Sequence, residues 1–182
     1  MQGRELVIGV SGGIAAYKTA GLVSSLVQAG AGVTVVLTES ARQFVGPATF
    51  EALTGRRVPQ GVFDPSASPL GAHIELAERA DLLCIAPATA NLLAKAAHGQ
   101  ADDLLSTLLL SFTGPILLAP AMNCEMWDKP AVQRNLALLR EDGCHIVDPE
   151  SGWLSCRKLG IGRMAGPERI LAEIKTLLKR ES

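Results

Sequence analysis

The chain has 182 residues, of which 48% are hydrophobic and 4% aromatic, and its formal net charge is −1. This length and aliphatic composition suit one domain, which we expect to cover residues 1–182. The near-neutral charge argues against a nucleic-acid partner. No apolar run reaches the roughly 18 residues that span a bilayer. Residues 1–13 lack the layout of a signal peptide, so we expect a cytoplasmic protein that does not contact membranes.

Short apolar runs alternate with helical patterns along the chain. Strands are predicted at 5–10, 33–37, 58–63, 82–86, 115–120 and 144–147, of which 58–63 is the weakest. Helices are predicted at 14–29, 40–53, 73–80, 91–98, 102–111, 130–142 and 167–180. Apolar strands without alternation suit a sheet that is covered on both faces. We therefore predict an α/β fold, a three-layer α/β/α doubly wound parallel sheet of Rossmann-like type with about six strands in the order 3-2-1-4-5-6.

Ligands of such a sheet bind beyond the carboxyl ends of the strands, so the segments that follow the strands are candidates for the site. After the first strand, Gly12 and Gly13 permit a tight turn with close backbone approach. The pattern is not GxGxxG, so the dinucleotide fingerprint is absent. After the second strand, Thr38 and Ser40 could either contact a phosphate or simply cap a helix. Two adjacent segments of this kind favour a mononucleotide.

The later strand ends carry further unusual segments. The segment APATANLLAK predicts a close-packed turn beside which a flat ring could lie. Asp102 and Asp103 suit the start of the next helix, so we assign them no acid–base role. The segment PAMNCEMW, residues 120–127, has neither a helical nor a strand period. Residues 150–166 are rich in glycine and predict a lid without regular structure.

The four cysteines show neither a CxxC pair nor a spacing typical of zinc, so we expect no metal site. Cys84 and Cys144 lie in apolar runs and are expected to be reduced core thiols. Cys124 and Cys156 lie in loops and need another explanation.

These motifs together resemble the homo-oligomeric flavin-containing cysteine decarboxylases. The pattern Pro-x-Met-Asn-x-x-Met-Trp of that family is complete here, and the resemblance runs over essentially the whole chain. It implies a single flavoprotein domain that binds FMN. It also implies conversion of 4′-phospho-N-pantothenoylcysteine to 4′-phosphopantetheine in coenzyme A biosynthesis. In that reaction the thiol is oxidised to a thioaldehyde, carbon dioxide is lost, and the resulting enethiol is reduced.

The resemblance also assigns roles to individual residues. It implies that His73 is the base, that Asn123 holds the substrate carboxylate, and that Cys156 donates a proton. From the residues alone, His73 could equally be a surface or capping residue, Asn123 a turn residue and Cys156 a loop thiol without a role, and for His73 and Cys156 the residues alone favour these explanations. The implied FMN contacts are Ser11, Gly12, Gly13, Ile14, Ala15, Thr38, Ser40, Ala88, Thr89, Ala90, Asn91 and Ala121. Substrate contacts are expected at Met122, Asn123, Met126 and Arg163.

The resemblance further implies a homo-oligomer, a trimer or a dodecamer, with active sites between subunits. A phosphopantothenoylcysteine synthetase is expected as a fused or separate partner. Two positions depart from the family pattern, Arg157 in place of a common glycine and Asp102 in place of an asparagine. Two other functions stay open, a lantibiotic-type peptidyl-cysteine decarboxylase and a non-catalytic FMN-binding regulator of a protein phosphatase.

Overall fold

A central parallel sheet organises the protein, whose structure is a computed structural model that describes residues 1–64 and 71–180. Its five strands are β1 (Glu5–Val10), β2 (Gly32–Leu37), β3 (Leu82–Ala88), β4 (Ile116–Pro120) and β5 (His145–Ile146). Their order in the sheet is β2-β1-β3-β4-β5, and every neighbouring pair is parallel. The predicted α/β class and doubly wound topology are confirmed.

Nine helices occur in the described residues. They are α1 (Ala16–Gln28), α2 (Glu39–Arg42), α3 (Pro47–Thr54), α4 (Ala72–Arg79), α5 (Ala90–Ala97), α6 (Leu104–Ser111), α7 (Cys124–Trp127), α8 (Pro130–Glu141) and α9 (Pro167–Arg180). One buried cluster joins the sheet to α1, α3 and α9, and a second joins it to α4, α5, α6 and α8. The sheet is therefore covered on both faces, which explains why its strands are apolar without alternation.

The third predicted strand, at residues 58–63, is wrong. This segment is a loop between α3 and α4, and the side chain of Phe63 is 95% exposed. Pro59 has no N–H for a strand ladder, and Gly61 has no side chain to pack against a neighbouring strand. The sheet consequently has five strands instead of six, in the predicted order once that strand is removed.

Two other predicted segments differ from the structure. The predicted helix 40–53 is two helices, because Pro47 cannot continue a helix but suits the first position of a new one. The predicted irregular lid contains an antiparallel hairpin, formed by β6 (Glu150–Trp153) and β7 (Leu159–Arg163). We refer to residues 150–163 as the hairpin.

The buried cysteine of the sheet behaves as predicted. Cys84 is fully buried in β3, and burial raises the pKa of its thiol to about 12. Cys144 is only partly buried, and burial raises the pKa of its thiol as well. No described helix combines the length and apolar character that crossing a membrane requires.

Candidate active site

A cavity of about 870 Å³ opens at the carboxyl edge of the sheet. Its volume lies within the range of roughly 300–1,000 Å³ that is typical of small-molecule sites. The segments that follow β1, β2, β3 and β4 line it, together with part of the hairpin. The predicted site residues that line it are Ser11, Gly12, Gly13, Ile14, Ala15, Thr38, Ser40, Thr89, Ala90, Asn91, Ala121, Met122, Asn123, Met126 and Arg163.

Ser11 braces the turn after β1 against the turn after β3. Its side chain is 2% exposed, and its hydroxyl donates to the Pro87 carbonyl at 2.7 Å. The same oxygen accepts a hydrogen bond from the Thr89 amide at 2.9 Å. The hydroxyl therefore shapes the floor of the cavity through protein contacts.

The two glycines of this turn are required by the convergence of three strand ends. A Cβ atom on Gly12 would overlap Ser40, which follows β2. A Cβ atom on Gly13 would lie 3.3 Å from Cγ2 of Thr89, which follows β3. Glycine thus brings the backbone close to the edge of the cavity, as the sequence predicted.

For Thr38 and Ser40, the sequence left open whether they cap a helix or contact a phosphate. The Thr38 hydroxyl caps α2 by accepting a hydrogen bond from the Ala41 amide at 3.2 Å. Ser40 is exposed and lines the cavity. Capping is therefore confirmed for Thr38, and both Thr38 and Ser40 line the cavity, so a ligand contact of either residue stays a prediction.

The segment 120–127 leaves the sheet through the short helix α7. Asn123 caps this helix, because its Oδ1 accepts a hydrogen bond from the Glu125 amide at 2.7 Å. The Asn123 amide also has two N–H donors, and the residue lines the cavity. Met126 lines the cavity and is 45% exposed, whereas Trp127 packs against the core cluster around α8. The lack of a regular period reflects this division between cavity and core.

The hairpin docks on the same segment. The Met122 amide donates to the Gly162 carbonyl at 2.9 Å. Gly162 has a φ of 142°, and a Cβ atom there would overlap the Met122 carbonyl oxygen. At the far end of β7, Lys158 pairs with Glu125 of α7, with Nζ and Oε1 2.9 Å apart. Residues of the hairpin therefore cover one side of the cavity.

Three cationic side chains line the cavity, namely Lys18, Lys95 and Arg163, and the sequence identified only Arg163. Lys18 lies in the first turn of α1, and its Nζ donates to the Met164 carbonyl at 3.4 Å. Burial lowers the pKa of Lys18, the charge of Arg163 lowers it further, and Glu150 opposes both. The signal in the sequence was the position of Lys18, one helical turn beyond the glycine turn. Further cavity residues that the sequence did not identify are Tyr17, Glu39, Leu92, Lys95, Asp103, Trp153, Leu154, Ser155, Gly162 and Met164.

Asp102 and Asp103 have the structural roles that the sequence predicted. Asp103 caps α6 in a reciprocal capping box with Ser106. Lys95 pairs with Asp102 at 2.6 Å, and its hydrogen bond with Asp102 is the main cause that raises the Lys95 pKa. The departure of Asp102 from the family asparagine thus adds an ion pair beside the cavity.

Three predicted site residues do not line the cavity. Ala88 is fully buried at the end of β3. His73 is the second residue of α4, and in the described part of the chain its buried Nδ1 has no hydrogen-bond partner. Cys156 is exposed in the turn of the hairpin. The roles of these residues stay predictions.

Comparison with known proteins identifies the family of the chain. The model of the family described as flavoprotein matches residues 1–179. The chain belongs to the flavoprotein family. It is 47% identical to the coenzyme A biosynthesis bifunctional protein CoaBC of Bacillus subtilis (strain 168). The aligned 171 residues make up 94% of the chain and 42% of that protein. The protein of the same name from Haemophilus influenzae is 43% identical, over all of the chain and 45% of that protein. The chain thus spans less than half the length of these curated relatives.

Solved structures of the family have the same fold. The FMN-dependent cysteine decarboxylase SpaF has a TM-score of 0.84 at 37% identity, over 98% of the chain and 97% of SpaF. A cysteine-to-serine variant of PPC decarboxylase in complex with pantothenoylaminoethenethiol has a TM-score of 0.85 at 32% identity, over 98% and 99% of the two chains. The resemblance to flavin-containing cysteine decarboxylases is confirmed.

Proposed function

We propose that the protein is an FMN-dependent carboxy-lyase that converts 4′-phospho-N-pantothenoylcysteine (PPC) to 4′-phosphopantetheine in coenzyme A biosynthesis. The observation that carries this proposal is the complete PAMNCEMW segment, which presents Asn123 to the cavity beneath a hairpin that bears Cys156. Relatives in coenzyme A biosynthesis and a solved PPC decarboxylase support it. We infer that residues 1–182 act as one flavoprotein domain, with the hairpin and the residues up to 166 as its substrate lid.

The cavity fits FMN as the cofactor. It combines glycine backbone from the turn after β1, the hydroxyl of Ser40 and the side-chain amide of Asn91. Bound FMN would take up a hydride equivalent when the substrate thiol becomes a thioaldehyde and would return it in the last step. The protein contributes the binding, the orientation and the proton transfers.

Asn123 is suited to hold the carboxylate that departs. Its N–H groups can donate to the carboxylate without adding a full charge. A cation at this position would stabilise the ground-state carboxylate and oppose its loss. Lys18 and Arg163 line the same cavity and are suited to the substrate phosphate, an anion that stays through the reaction.

His73 and Cys156 would supply the proton transfers. The imidazole can remove a proton during oxidation of the thiol, and the thiol of Cys156 can donate one during reduction of the enethiol. Neither residue lines the cavity of its own chain. A homo-oligomer, which we propose to be a trimer or a dodecamer, would place the cavity of one copy beside His73 of another. Cys156 instead follows Ser155 of the hairpin that covers the cavity of its own chain.

The experiment compares the wild-type protein with His73→Asn and Cys156→Ser after incubation with PPC. We expect 4′-phosphopantetheine from the wild type, no turnover from His73→Asn with FMN retained, and the enethiol from Cys156→Ser. The matched controls are His98→Asn and Cys124→Ser, neither of which has a proposed chemical role. Full conversion to 4′-phosphopantetheine by Cys156→Ser would contradict the assigned proton donor.

A second candidate is a decarboxylase of peptidyl-cysteine that stops at the enethiol. The likeness to SpaF, at 37% identity, keeps this function as a candidate. The higher identity of 47% to CoaBC of Bacillus subtilis favours PPC. The relatives are bifunctional, so a fused or separate synthetase is part of our proposal, as is a cytoplasmic location. A non-catalytic regulator is less consistent with a complete signature, and turnover of PPC would exclude it.

A further inference from the structure

The Glu125–Lys158 pair lies where the hairpin meets α7. Nζ of Lys158 is 2.9 Å from Oε1 of Glu125, although the two residues are 33 positions apart in the sequence. Glu125 belongs to the segment that presents Asn123, and Lys158 is two residues from Cys156. The pair therefore joins the carboxylate-binding segment to the turn that bears the predicted proton donor.

Glycines and backbone groups of β7 also take part in this contact. Gly160 faces Cys124, where a Cβ atom on Gly160 would lie 2.8 Å from the Cys124 Cβ. Gly162 faces the Met122 carbonyl and receives the Met122 amide hydrogen bond near the base of the hairpin. Glycines allow close approach but bury little apolar surface, so a side-chain pair at the tip can add to the orientation of the turn there.

We propose that Glu125 and Lys158 are positioning residues that hold the Cys156 turn over the cavity while the enethiol is reduced. This role rests on the proposed function. Neither Glu125 nor Lys158 lines the cavity, and both act through Cys156. Glu125 attracts Lys158 only when the hairpin is closed, because only then are the two side chains within reach. The pair therefore stabilises the closed hairpin relative to the open one.

The size of the effect follows from the exposure of the pair. Exposed ion pairs contribute modestly, so loss of one partner should reduce the population of the closed hairpin about two- to five-fold. Added salt should act in the same direction, because exposed charges are screened. A hairpin that opens more often would let the enethiol leave before reduction. When an enethiol leaves before reduction, the two electrons taken from the substrate thiol stay in the enzyme. Dissolved dioxygen can accept these electrons, so the assay is run in air.

The experiment measures amide hydrogen exchange over residues 154–159 in the FMN-loaded protein and the ratio of enethiol to 4′-phosphopantetheine. The variants are Glu125→Gln, Lys158→Gln and the charge reversal Glu125→Lys with Lys158→Glu. The controls are Glu173→Gln and Lys175→Gln, exposed residues of α9 that should leave both readouts unchanged. We expect about two- to five-fold faster exchange and a higher enethiol ratio in each single variant. The charge reversal should restore both readouts most of the way, because Lys129 stays near position 125.

Wild-type exchange rates in both single variants would overturn the proposal, as would a charge reversal that restores neither readout. A further test raises the salt concentration from about 0.05 M to about 0.5 M, which should accelerate exchange in the wild type and not in the single variants. If the wild type makes neither product from PPC, the proposed function fails. The exchange data would then still report whether the pair holds the hairpin.

Discussion

Arg157 has a left-handed backbone conformation in the turn of the hairpin. Its φ is 62°, the only positive φ of a non-glycine residue among those the structure describes. This conformation costs roughly 1–2 kcal/mol for a residue with a Cβ atom. The same position often carries glycine in the family, so the departure noted in the sequence retains the turn geometry and adds strain.

Arg157→Gly should therefore make the hairpin turn more stable. The expected gain is up to about 1 kcal/mol, because the strain that is relieved is partly offset by the greater freedom of glycine when the turn opens. Slower amide exchange over residues 154–159 is the measurement. Arg157→Ala removes the charge and keeps the Cβ atom, so it should give no gain. An equal gain in Arg157→Ala would mean that charge, and not backbone strain, is responsible.

Asn123 has both a structural and a proposed chemical role, and substitution can separate them. Asn123→Asp retains an acceptor for the Glu125 amide, so the fold of α7 should be retained. Its negative charge would repel the substrate carboxylate, so we expect turnover of PPC to fall by at least about 100-fold. Asn123→Ala should lose both roles, with about 0.5–2 kcal/mol less stability. Retained turnover in the Asp variant, measured with an unchanged Tm, would contradict the role in carboxylate binding.

At the scale of the element, Gly162 determines how closely β7 approaches the end of β4. Gly162→Ala would place a Cβ atom against the Met122 carbonyl and strain a φ of 142°. We expect the variant to lose about 1–3 kcal/mol of unfolding free energy and to release more enethiol, because the hairpin cannot dock. Denaturant unfolding and product analysis are the measurements.

Gly152→Ala is the matched control on the partner strand β6. Its Cβ atom would meet the Arg163 side chain, at 3.3 Å from Cδ, and not backbone. The structure gives it no positive φ, so the substitution should be tolerated. Equal losses in the two variants would show that the hairpin is sensitive to any added side chain, and the specific contact with Met122 would not explain them.

The elements show which parts of the fold a sequence can predict. The parallel strands were predicted because each is a continuous apolar run, and the strand ends meet at one edge, so the segments after them could be assigned to one site. The prediction of a strand at 58–63 was wrong because it gave more weight to the apolar residues of this segment than to Pro59 and Gly61, which disfavour a strand. The hairpin was missed because its inward-facing glycines remove the alternation that usually marks strands. Lys18 was missed because its place at the cavity is marked by a contact with the Met164 carbonyl, 146 positions away in the sequence.

At the scale of the whole molecule, an ion-pair network lies at the amino end of β1, opposite the cavity at the carboxyl edge of the sheet. Glu5 at the start of β1 pairs with Arg56 at 2.5 Å and with Arg79 at 3.8 Å. The hydrogen bond from Arg56 is the main cause that lowers the Glu5 pKa below its ordinary value of 4.5. A lowered carboxyl pKa stabilises the folded state fully above the unfolded value, and this contribution is lost as the pH falls through the folded value.

The stability of the Glu5→Gln variant should therefore depend less on pH in the acid range than that of the wild type. The fall in Tm between about pH 5 and about pH 3 should shrink by about 1–3 °C, because a neutral amide cannot lose this contribution. Thermal unfolding across that range is the measurement. Glu173→Gln, at an exposed position of α9, should keep the wild-type slope. An unchanged slope in Glu5→Gln would mean that the network does not respond to acid in the way that the lowered pKa indicates.

The central claim is the reaction that the cavity supports. It is tested most directly by incubating the FMN-loaded protein with PPC that carries ¹³C in the cysteine carboxyl group, and by analysing the gas and the thiol product together. We predict one labelled carbon dioxide for each 4′-phosphopantetheine, with a C-terminal cysteine peptide left unconverted. Conversion of the peptide without conversion of PPC, or no labelled carbon dioxide from PPC, would contradict this reaction.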